Sequence, residues 1–185
     1  ATERGRLLTR TGVAILDQNT PGSEIALMAR AGVRGARFNF VKHLGGSPDM
    51  AVFANILRRI KPLGWHVVLH IDAPDIVPLS DMIRGLTLPF IIDHMGRVPA
   101  MEGVDQKPLA ALLDLAKLDR CWIKVCGSER IDFPPYDKAV PIARASADTL
   151  NPLPYDTTFT SWPCCTTGLL RNWSSRNGAP EASDT

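Results

Sequence analysis

The sequence lacks three features that would place it in a special class of protein. No apolar run approaches the roughly 20 residues that a membrane-spanning helix requires, and the first segment, ATERGRLLTRTG, has no apolar core typical of a secretory signal. The net charge is only +2, so no basic stripe predicts binding to nucleic acid or to an anionic membrane. We therefore expect a soluble, cytoplasmic protein whose partner is a small molecule.

Cysteine is also scarce, and its spacing fits neither of the usual cysteine-rich arrangements. Of the 4 cysteines, Cys121 and Cys126 lie within one predicted strand, while Cys164 and Cys165 are adjacent. This spacing matches neither a disulfide framework nor a zinc knuckle. We expect ordinary reduced thiols.

What the sequence does contain is an alternation of short apolar runs with longer segments of helical period. With 185 residues, 45% of them hydrophobic, the chain can bury the core of one domain. The predicted strands are GVAIL (12–16), GARFNF (35–40), HVVLHID (66–72), FIIDHMG (90–96) and CWIKVCG (121–127). The predicted helices between them are SEIALMARAG, DMAVFANILRRIKPLG, DIVPLSDMIRGL and KPLAALLDLAKLD. This βα repeat predicts an α/β fold with parallel strands, either a doubly wound sheet or a (β/α)₈ barrel.

Alternation of polar and apolar residues within the strands favours the barrel. Successive side chains of a strand point to opposite faces, and three predicted strands have one polar face, formed by Arg37 and Asn39, by His70 and Asp72, and by Lys124, Cys126 and Ser128. A doubly wound sheet is apolar on both faces, whereas a barrel lumen turns polar toward the C-terminal ends of its strands. The alternative is that these residues are merely strand ends that leave the core.

Four segments also carry a resemblance to a known family. AGVRGARFNFV (31–41), WHVVLHID (65–72), IIDHMGR (91–97) and WIKVCGSERI (122–131) resemble, in this order and spacing, the amidohydrolase-2 group of the metal-dependent hydrolase superfamily, above all its 2-pyrone-4,6-dicarboxylate lactonases. The resemblance implies a distorted (β/α)₈ barrel of the TIM type. It also implies hydrolytic opening of a lactone ring that bears carboxylates, a reaction of aromatic-compound breakdown. No cofactor is expected, although related members use a divalent metal such as zinc.

The resemblance implies four substrate-binding residues. Arg37 and Arg130 match arginines that hold the substrate carboxylates, a task that suits guanidinium because its planar fork binds a carboxylate bidentately. His70 matches a substrate-facing residue at a strand end, and His43 stands where relatives carry another arginine. The alternatives are that each arginine pairs with a nearby acid and that His70 is a satisfied core histidine.

The catalytic candidate is His94, at the end of the strand FIIDHMG. The resemblance places its imidazole in the barrel lumen, where it would polarise the scissile carbonyl or stabilise the oxyanion that forms when water attacks. Adjacent strand residues point to opposite sides. We therefore expect Asp93 to pair with the backbone or with a cation behind the barrel wall.

The sequence departs from the family pattern at both ends. The superfamily has a His-x-His pair on its first strand, and none occurs here, while such a barrel takes about 250 residues. We therefore expect a partial barrel at 1–152 that lacks the first strand, and a diverged, poorly structured tail at 153–185 with the C-terminal strands missing or diverged. Relatives carry their general base in a Gly-Thr-Asp-Trp-Pro-His block, whereas FTSWPCC has Ser161 in place of the aspartate and Cys164 in place of the histidine.

Three functions remain open on these grounds. The first is a lactonase that acts through His94, with Arg37 and Arg130 as carboxylate clamps. The second is a metal-dependent decarboxylase or deacylase, although a zinc site normally needs at least three protein ligands and the sequence offers only His70, His94 and an acid. The third is a non-catalytic fragment that at most binds a ligand.

Overall fold

Five parallel strands in sequence order form the centre of the molecule. The computed structural model describes residues 12–150 and a short strand at 168–170, the latter by its backbone alone. The strands are β1 (Gly12–Ala14), β2 (Val33–Asn39), β3 (His66–His70), β4 (Phe90–Ile92) and β5 (Cys121–Val125). A sixth strand, β6 (Gly168–Leu170), pairs antiparallel with β5. All five predicted strands are confirmed, and β4 is shorter than predicted because the segment DHMG leaves the sheet.

Four predicted helices connect the parallel strands, and a fifth follows them. They are α1 (Gly22–Arg30), α2 (Met50–Ile60), α3 (Ala73–Arg84), α4 (Lys107–Ala116) and α5 (Ala139–Leu150). The carboxylate of Asp49 caps α2 by accepting hydrogen bonds from the backbone N–H groups of Ala51 and Val52, at 2.7 and 3.2 Å. The sequence did not predict α5, because two of its buried residues, Ala139 and Ser146, are too small or too polar to mark an apolar stripe.

The strand order distinguishes the two architectures that the sequence left open. A doubly wound sheet reverses its strand order at a switch point, whereas β1 to β5 follow one another in the sheet in the same order as in the sequence. Right-handed crossovers without a reversal place the connecting helices on one face. The fold is therefore an arc of a (β/α)₈ barrel, and the doubly wound alternative is wrong.

The helix-facing side of this arc is apolar, as the alternation within the strands predicts. Phe38 and Phe40 of β2 pack edge-on against Phe53 of α2, with ring centroids 4.6 and 5.9 Å apart. Leu69 and Ile123 of β3 and β5 are fully buried in the same core. The opposite face of the strands carries the polar residues Arg37, Asn39, His70 and Lys124, together with a few apolar ones.

Part of the sequence lies outside the described residues, namely 1–11, 151–167 and 171–185. The positions of Ser161 and Cys164 fall there, so the prediction of a poorly structured tail stays a prediction, with β6 as the piece that the structure adds. In the part of the chain that is described, no helix is both long and apolar enough to cross a membrane.

Candidate active site

Polar side chains of β2 and β3 meet at the C-terminal ends of these strands. Asn39 and His70 are in register, and the amide oxygen of Asn39 lies 3.2 Å from Nδ1 of His70. The same oxygen accepts a hydrogen bond from Nε of Arg37 at 3.4 Å. Because the amide oxygen is an acceptor, Nδ1 of His70 carries the imidazole proton and Nε2 carries the lone pair.

The Nε2 atom of His70 is buried, and it has no hydrogen-bond partner among residues 12–150. A buried acceptor without a partner is costly unless a ligand or a water supplies the donor. His70 is therefore only half satisfied by the protein, which distinguishes it from an ordinary core histidine.

A buried carboxylate, Asp93, holds two cations on the same side of the sheet. Its Oδ2 forms an ion pair with a terminal guanidinium nitrogen of Arg37, and Nζ of Lys124 lies 3.6 Å from its Oδ1. The side chain of Asp93 is 1% exposed, whereas those of Arg37 and Lys124 are 26% and 27% exposed. Arg37, Lys124 and Asp93 together carry a net charge of +1, and the two cations are partly exposed to solvent.

The expectation that Asp93 pairs with a cation is confirmed, since it pairs with Arg37 and Lys124, but the expected place behind the barrel wall is wrong. The sheet register aligns Ile91 with Val68 and Trp122, which lie on the polar face of their strands. Two residues farther along, Asp93 points to the same face.

A left-handed turn brings His94 to the side on which Asp93 already lies. The strand β4 ends at Ile92, and His94, Met95 and Gly96 have φ values of 53, 51 and 62°. In an extended strand Asp93 and His94 would face opposite ways, but the left-handed conformation of His94 breaks this alternation. The buried side chain of Met95 anchors the turn in the core.

The imidazole of His94 contacts His70 of β3 and Cys126, which directly follows β5. Its Nδ1 lies 3.3 Å from Sγ of Cys126, and its ring stands edge-on to that of His70, with centroids 5.3 Å apart. A Cβ at Gly127 would lie 2.6 Å from Nδ1 of His94 and 3.2 Å from Cδ of Arg130. Glycine at 127, with φ 76°, therefore lets these two side chains approach the same backbone.

Both histidines are neutral near pH 7, and burial is the main cause. Burial, assisted by the charge of Arg37, lowers the pKa of His70 from 6.5 to about 4. Burial also lowers the pKa of His94, against the opposing effect of Asp93 and with the help of Arg130 and Lys124. The charge of Arg37 also lowers the pKa of His94. Both arginines predicted to bind substrate, Arg37 and Arg130, therefore act on this ring.

The lowered pKa of His70 predicts how stability depends on pH. Between about 4 and 6.5 the unfolded chain binds a proton on this histidine that the folded chain does not, so the free energy of unfolding should fall as the pH is lowered across that window. Urea unfolding at a series of pH values measures the slope. In His70→Asn this contribution to the slope should disappear, and an unchanged slope would contradict the assignment.

A cleft of about 320 Å³ opens at the C-terminal ends of the strands, and neither His70 nor His94 is among the residues that line it. It is lined by residues that follow β2, β3, β4 and β5, including Lys42, Asp72, Arg97 and Arg130. Nε of Arg97 lies 2.7 Å from Oδ1 of Asp72, whereas Nε of Arg130 lies 3.5 Å from Oε1 of Glu129 and its side chain is 40% exposed. Arg130 is therefore loosely paired and available to an anion.

The structure brings together most of the predicted site residues. Arg37, His70 and His94 form one cluster, and Arg130 lines the adjoining cleft. His43 is exposed on the loop after β2 and does not line the cleft, where its neighbour Lys42 does. The predicted role of His43 in substrate binding therefore gains no support from the geometry.

The described residues do not supply a metal centre by themselves. Between 12 and 150, no group of three or more His, Cys, Asp or Glu side chains is arranged to hold a metal ion. A zinc site normally needs at least three protein ligands, so no step of the chemistry is assigned to a metal.

Parallel strands in sequence order, with charged and imidazole groups at their C-terminal ends, define an enzyme scaffold of the α/β-barrel class. Residues 5–152 match the amidohydrolase-2 family, described as amidohydrolase. The chain belongs to this family.

Named relatives of this chain are lactone hydrolases. It is 41% identical over 129 residues to a 4-sulfomuconolactone hydrolase of Rhizobium radiobacter, a match that covers 68% of this chain and 43% of the relative. It is 37% identical over 121 residues to a 2-pyrone-4,6-dicarboxylate hydrolase of Comamonas testosteroni, covering 65% and 40% of the two chains. The chain thus spans less than half the length of these relatives.

Solved structures of similar proteins agree with this family assignment. A putative 2-pyrone-4,6-dicarboxylic acid hydrolase of Pseudomonas putida is 35% identical with a TM-score of 0.64, over 75% of this chain and 50% of the other. A probable 2-pyrone-4,6-dicarboxylic acid hydrolase of Acinetobacter baumannii, solved with citric acid bound, is 26% identical with a TM-score of 0.61, over 75% and 51%.

Proposed function

We propose that this chain carries the substrate site of a hydrolase that opens an anionic lactone, with a 2-pyrone-4,6-dicarboxylate as the type of substrate. The observation that carries the proposal is the convergence of Arg37, Lys124 and two neutral histidines at one edge of the sheet. Membership in the amidohydrolase family, and relatives named for lactones that bear carboxylates or a sulfonate, support the same class of substrate.

The excess positive charge is what an anionic ring requires. Arg37 and Lys124 share the single negative charge of Asp93, and Arg130 is only loosely paired with Glu129. A substrate with two anionic groups would place one near each of these two sites, in charge-assisted hydrogen bonds.

The reaction is hydrolysis of the ring ester. A water oxygen forms a bond to the lactone carbonyl carbon, the ring C–O bond breaks, and the proton lost by the water ends on the released ring oxygen. His94 would donate a hydrogen bond to the carbonyl oxygen as it becomes negative. His70, with its free Nε2 acceptor, would hold a proton of the substrate or of a water.

Replacing Arg130 by Met should weaken binding of a pyrone dicarboxylate by about ten- to a hundredfold, because a charge-assisted hydrogen bond contributes about 1.5–3 kcal/mol. The affinity of Arg130→Lys should fall between those of wild type and Arg130→Met, since the ammonium group keeps the charge and loses the two-pronged geometry of the guanidinium. Titration calorimetry measures the change. The matched control is Arg84→Met. The side chain of Arg84 is 39% exposed, against 40% for Arg130, and it pairs with Asp114 on the helical surface. Equal affinities for the two Met variants would contradict the role of Arg130.

The direct test of the proposal is an assay with the whole chain and 2-pyrone-4,6-dicarboxylate. Slow but saturable loss of the ring absorbance, with the open-chain acid as product, is the expected result, because Ser161 stands in place of the aspartate base and a serine hydroxyl does not activate water at neutral pH. Binding without turnover would mean that the chain is a ligand-binding remnant. The absence of both binding and turnover would reject the proposal and leave only the family and the fold.

Two finer points belong to the same proposal. We place the enzyme in the cytoplasm, in keeping with the free thiols of Cys121 and Cys126, and in the breakdown of aromatic compounds. We expect the lactone chemistry to need no cofactor, and activity that survives extensive treatment with a chelator would support this.

A further inference from the structure

We infer that the thiol of Cys126 fixes the tautomer of His94: the thiol donates a hydrogen bond to Nδ1, and Nε2 carries the proton of the neutral imidazole. The primary observation is the 3.3 Å separation between Sγ of Cys126 and Nδ1 of His94. The catalytic meaning of this contact rests on the proposed function. The tautomer itself is a property of the folded chain.

Distance alone allows two arrangements, because either the thiol or the imidazole N–H could be the donor. A neutral imidazole nitrogen offers a full lone pair, whereas sulfur is only a weak acceptor, so at 3.3 Å a hydrogen bond from the thiol to Nδ1 is favoured over one from Nδ1–H to the sulfur. Burial raises the pKa of the Cys126 thiol and lowers that of His94. Both groups are therefore neutral, and the proton that stays on sulfur is directed to the nitrogen lone pair.

The surroundings of the ring hold this contact in place. Gly127 leaves just enough room for Nδ1 of His94, since a Cβ there would lie 2.6 Å from it. The ring of His70 stands edge-on to that of His94. The charged groups that act on the ring are Asp93, Arg130, Lys124 and Arg37, so Cys126 is the neutral neighbour that makes the hydrogen bond to Nδ1.

The consequence is a complementary pair of histidines. Asn39 leaves a lone pair on Nε2 of His70, whereas Cys126 leaves a proton on Nε2 of His94. The site then offers one neutral acceptor and one neutral donor from two imidazoles whose centroids are 5.3 Å apart. Cys126 is a positioning residue, since it acts through His94 and has no required contact with the substrate.

Nitrogen NMR of the full chain tests the tautomer directly. Long-range ¹⁵N–¹H correlation distinguishes a protonated, pyrrole-type ring nitrogen from an unprotonated, pyridine-type one, and the signals of His94 are those lost in His94→Asn. In the wild-type chain near pH 7 we expect Nε2 of His94 to be pyrrole-type and Nδ1 to be pyridine-type. A wild-type spectrum with the proton on Nδ1 would overturn the inference without any variant.

Three cysteine variants separate this role from mere packing. Cys126→Ser keeps a donor and should keep the wild-type pattern, whereas Cys126→Ala should give shifts averaged between the two tautomers. The matched control is Cys121→Ala, because Cys121 begins β5, the strand that Cys126 directly follows, and its thiol contacts the carbonyl oxygen of Trp122 at 3.9 Å. The signals of His66 and His70 report whether each variant is folded.

An unchanged pattern for His94 in folded Cys126→Ala would also overturn the inference. The NMR spectrum needs no turnover, so it tests the tautomer of His94 independently of the lactone assay. The predicted tautomer in a chain that neither binds nor opens a lactone would reject the proposed function and leave the role of Cys126 intact.

Discussion

Replacing His94 by Asn should lower the turnover of 2-pyrone-4,6-dicarboxylate by about a hundred- to a thousandfold, the usual effect of removing one donor to an oxyanion, and should change KM little. The physical reason is that the proposed hydrogen bond from Nε2 strengthens as the carbonyl oxygen becomes negative, so its loss raises the barrier more than it weakens binding. Steady-state kinetics that separate kcat from KM make the measurement.

The length of the side chain provides a control within the same position. An Asn amide nitrogen lies near the place of Nδ1, whereas the longer Gln side chain carries its amide toward that of Nε2. Partial recovery of kcat in His94→Gln is therefore expected. A second control is His66→Asn, at the start of β3, where the ring packs against Gly35. Equal kcat values for wild type and His94→Asn would contradict the assigned role.

Replacing Asp93 by Asn should be the most destabilising change near the site. It leaves Arg37 and Lys124 facing each other without the charge that both approach. Removing one partner of a buried ion pair costs about 3–5 kcal/mol, and we expect about 2–3 kcal/mol here because both cations reach solvent. A lower midpoint of urea unfolding with an unchanged slope is the expected readout.

Two further variants isolate the electrostatic cause of this loss. Adding Lys124→Met to Asp93→Asn should restore part of the stability, because it removes one of the two cations that repel each other. Asp114→Asn should leave the midpoint where it is, since Asp114 pairs with Arg84 and Lys117 at an exposed site. No recovery in the double variant would mean that Asp93 stabilises the fold in another way.

The parallel arc could be predicted from the sequence because both periods are clear there: polar and apolar residues alternate within the strands, and apolar residues recur at helical spacing between them. Alternation in β2 separates Arg37 and Asn39 from Phe38 and Phe40, and the contacts of these residues with the site and with Phe53 confirm the separation. The helix α5 was missed because Ala139 and Ser146, which are small or polar, take two of its buried positions.

The left-handed turn after β4 could not be predicted, because no periodic pattern in a sequence indicates a positive φ at residues other than glycine. The same alternation, carried from Ile91 to Asp93, would have placed Asp93 correctly. The resemblance instead reserved that side for His94, and an ideal strand has room for only one of two adjacent residues. The contacts of Arg97 with Asp72, and of Cys126 with His94, depend on this turn and were missed with it.

The division of the site between strands and loops has a consequence for how its substrate range can evolve. Arg37, His70 and Lys124 belong to strands and are tied to one another through Asn39 and Asp93, so a change in any of them disturbs the fold as well as the chemistry. Lys42 and Arg130 are carried by the connections after β2 and β5, where substitutions usually alter stability by less than about 0.5 kcal/mol. Under the proposed function, mutations at the rim can therefore change which anionic lactone binds at little cost in stability, whereas changes to the strand residues beneath it cost stability as well.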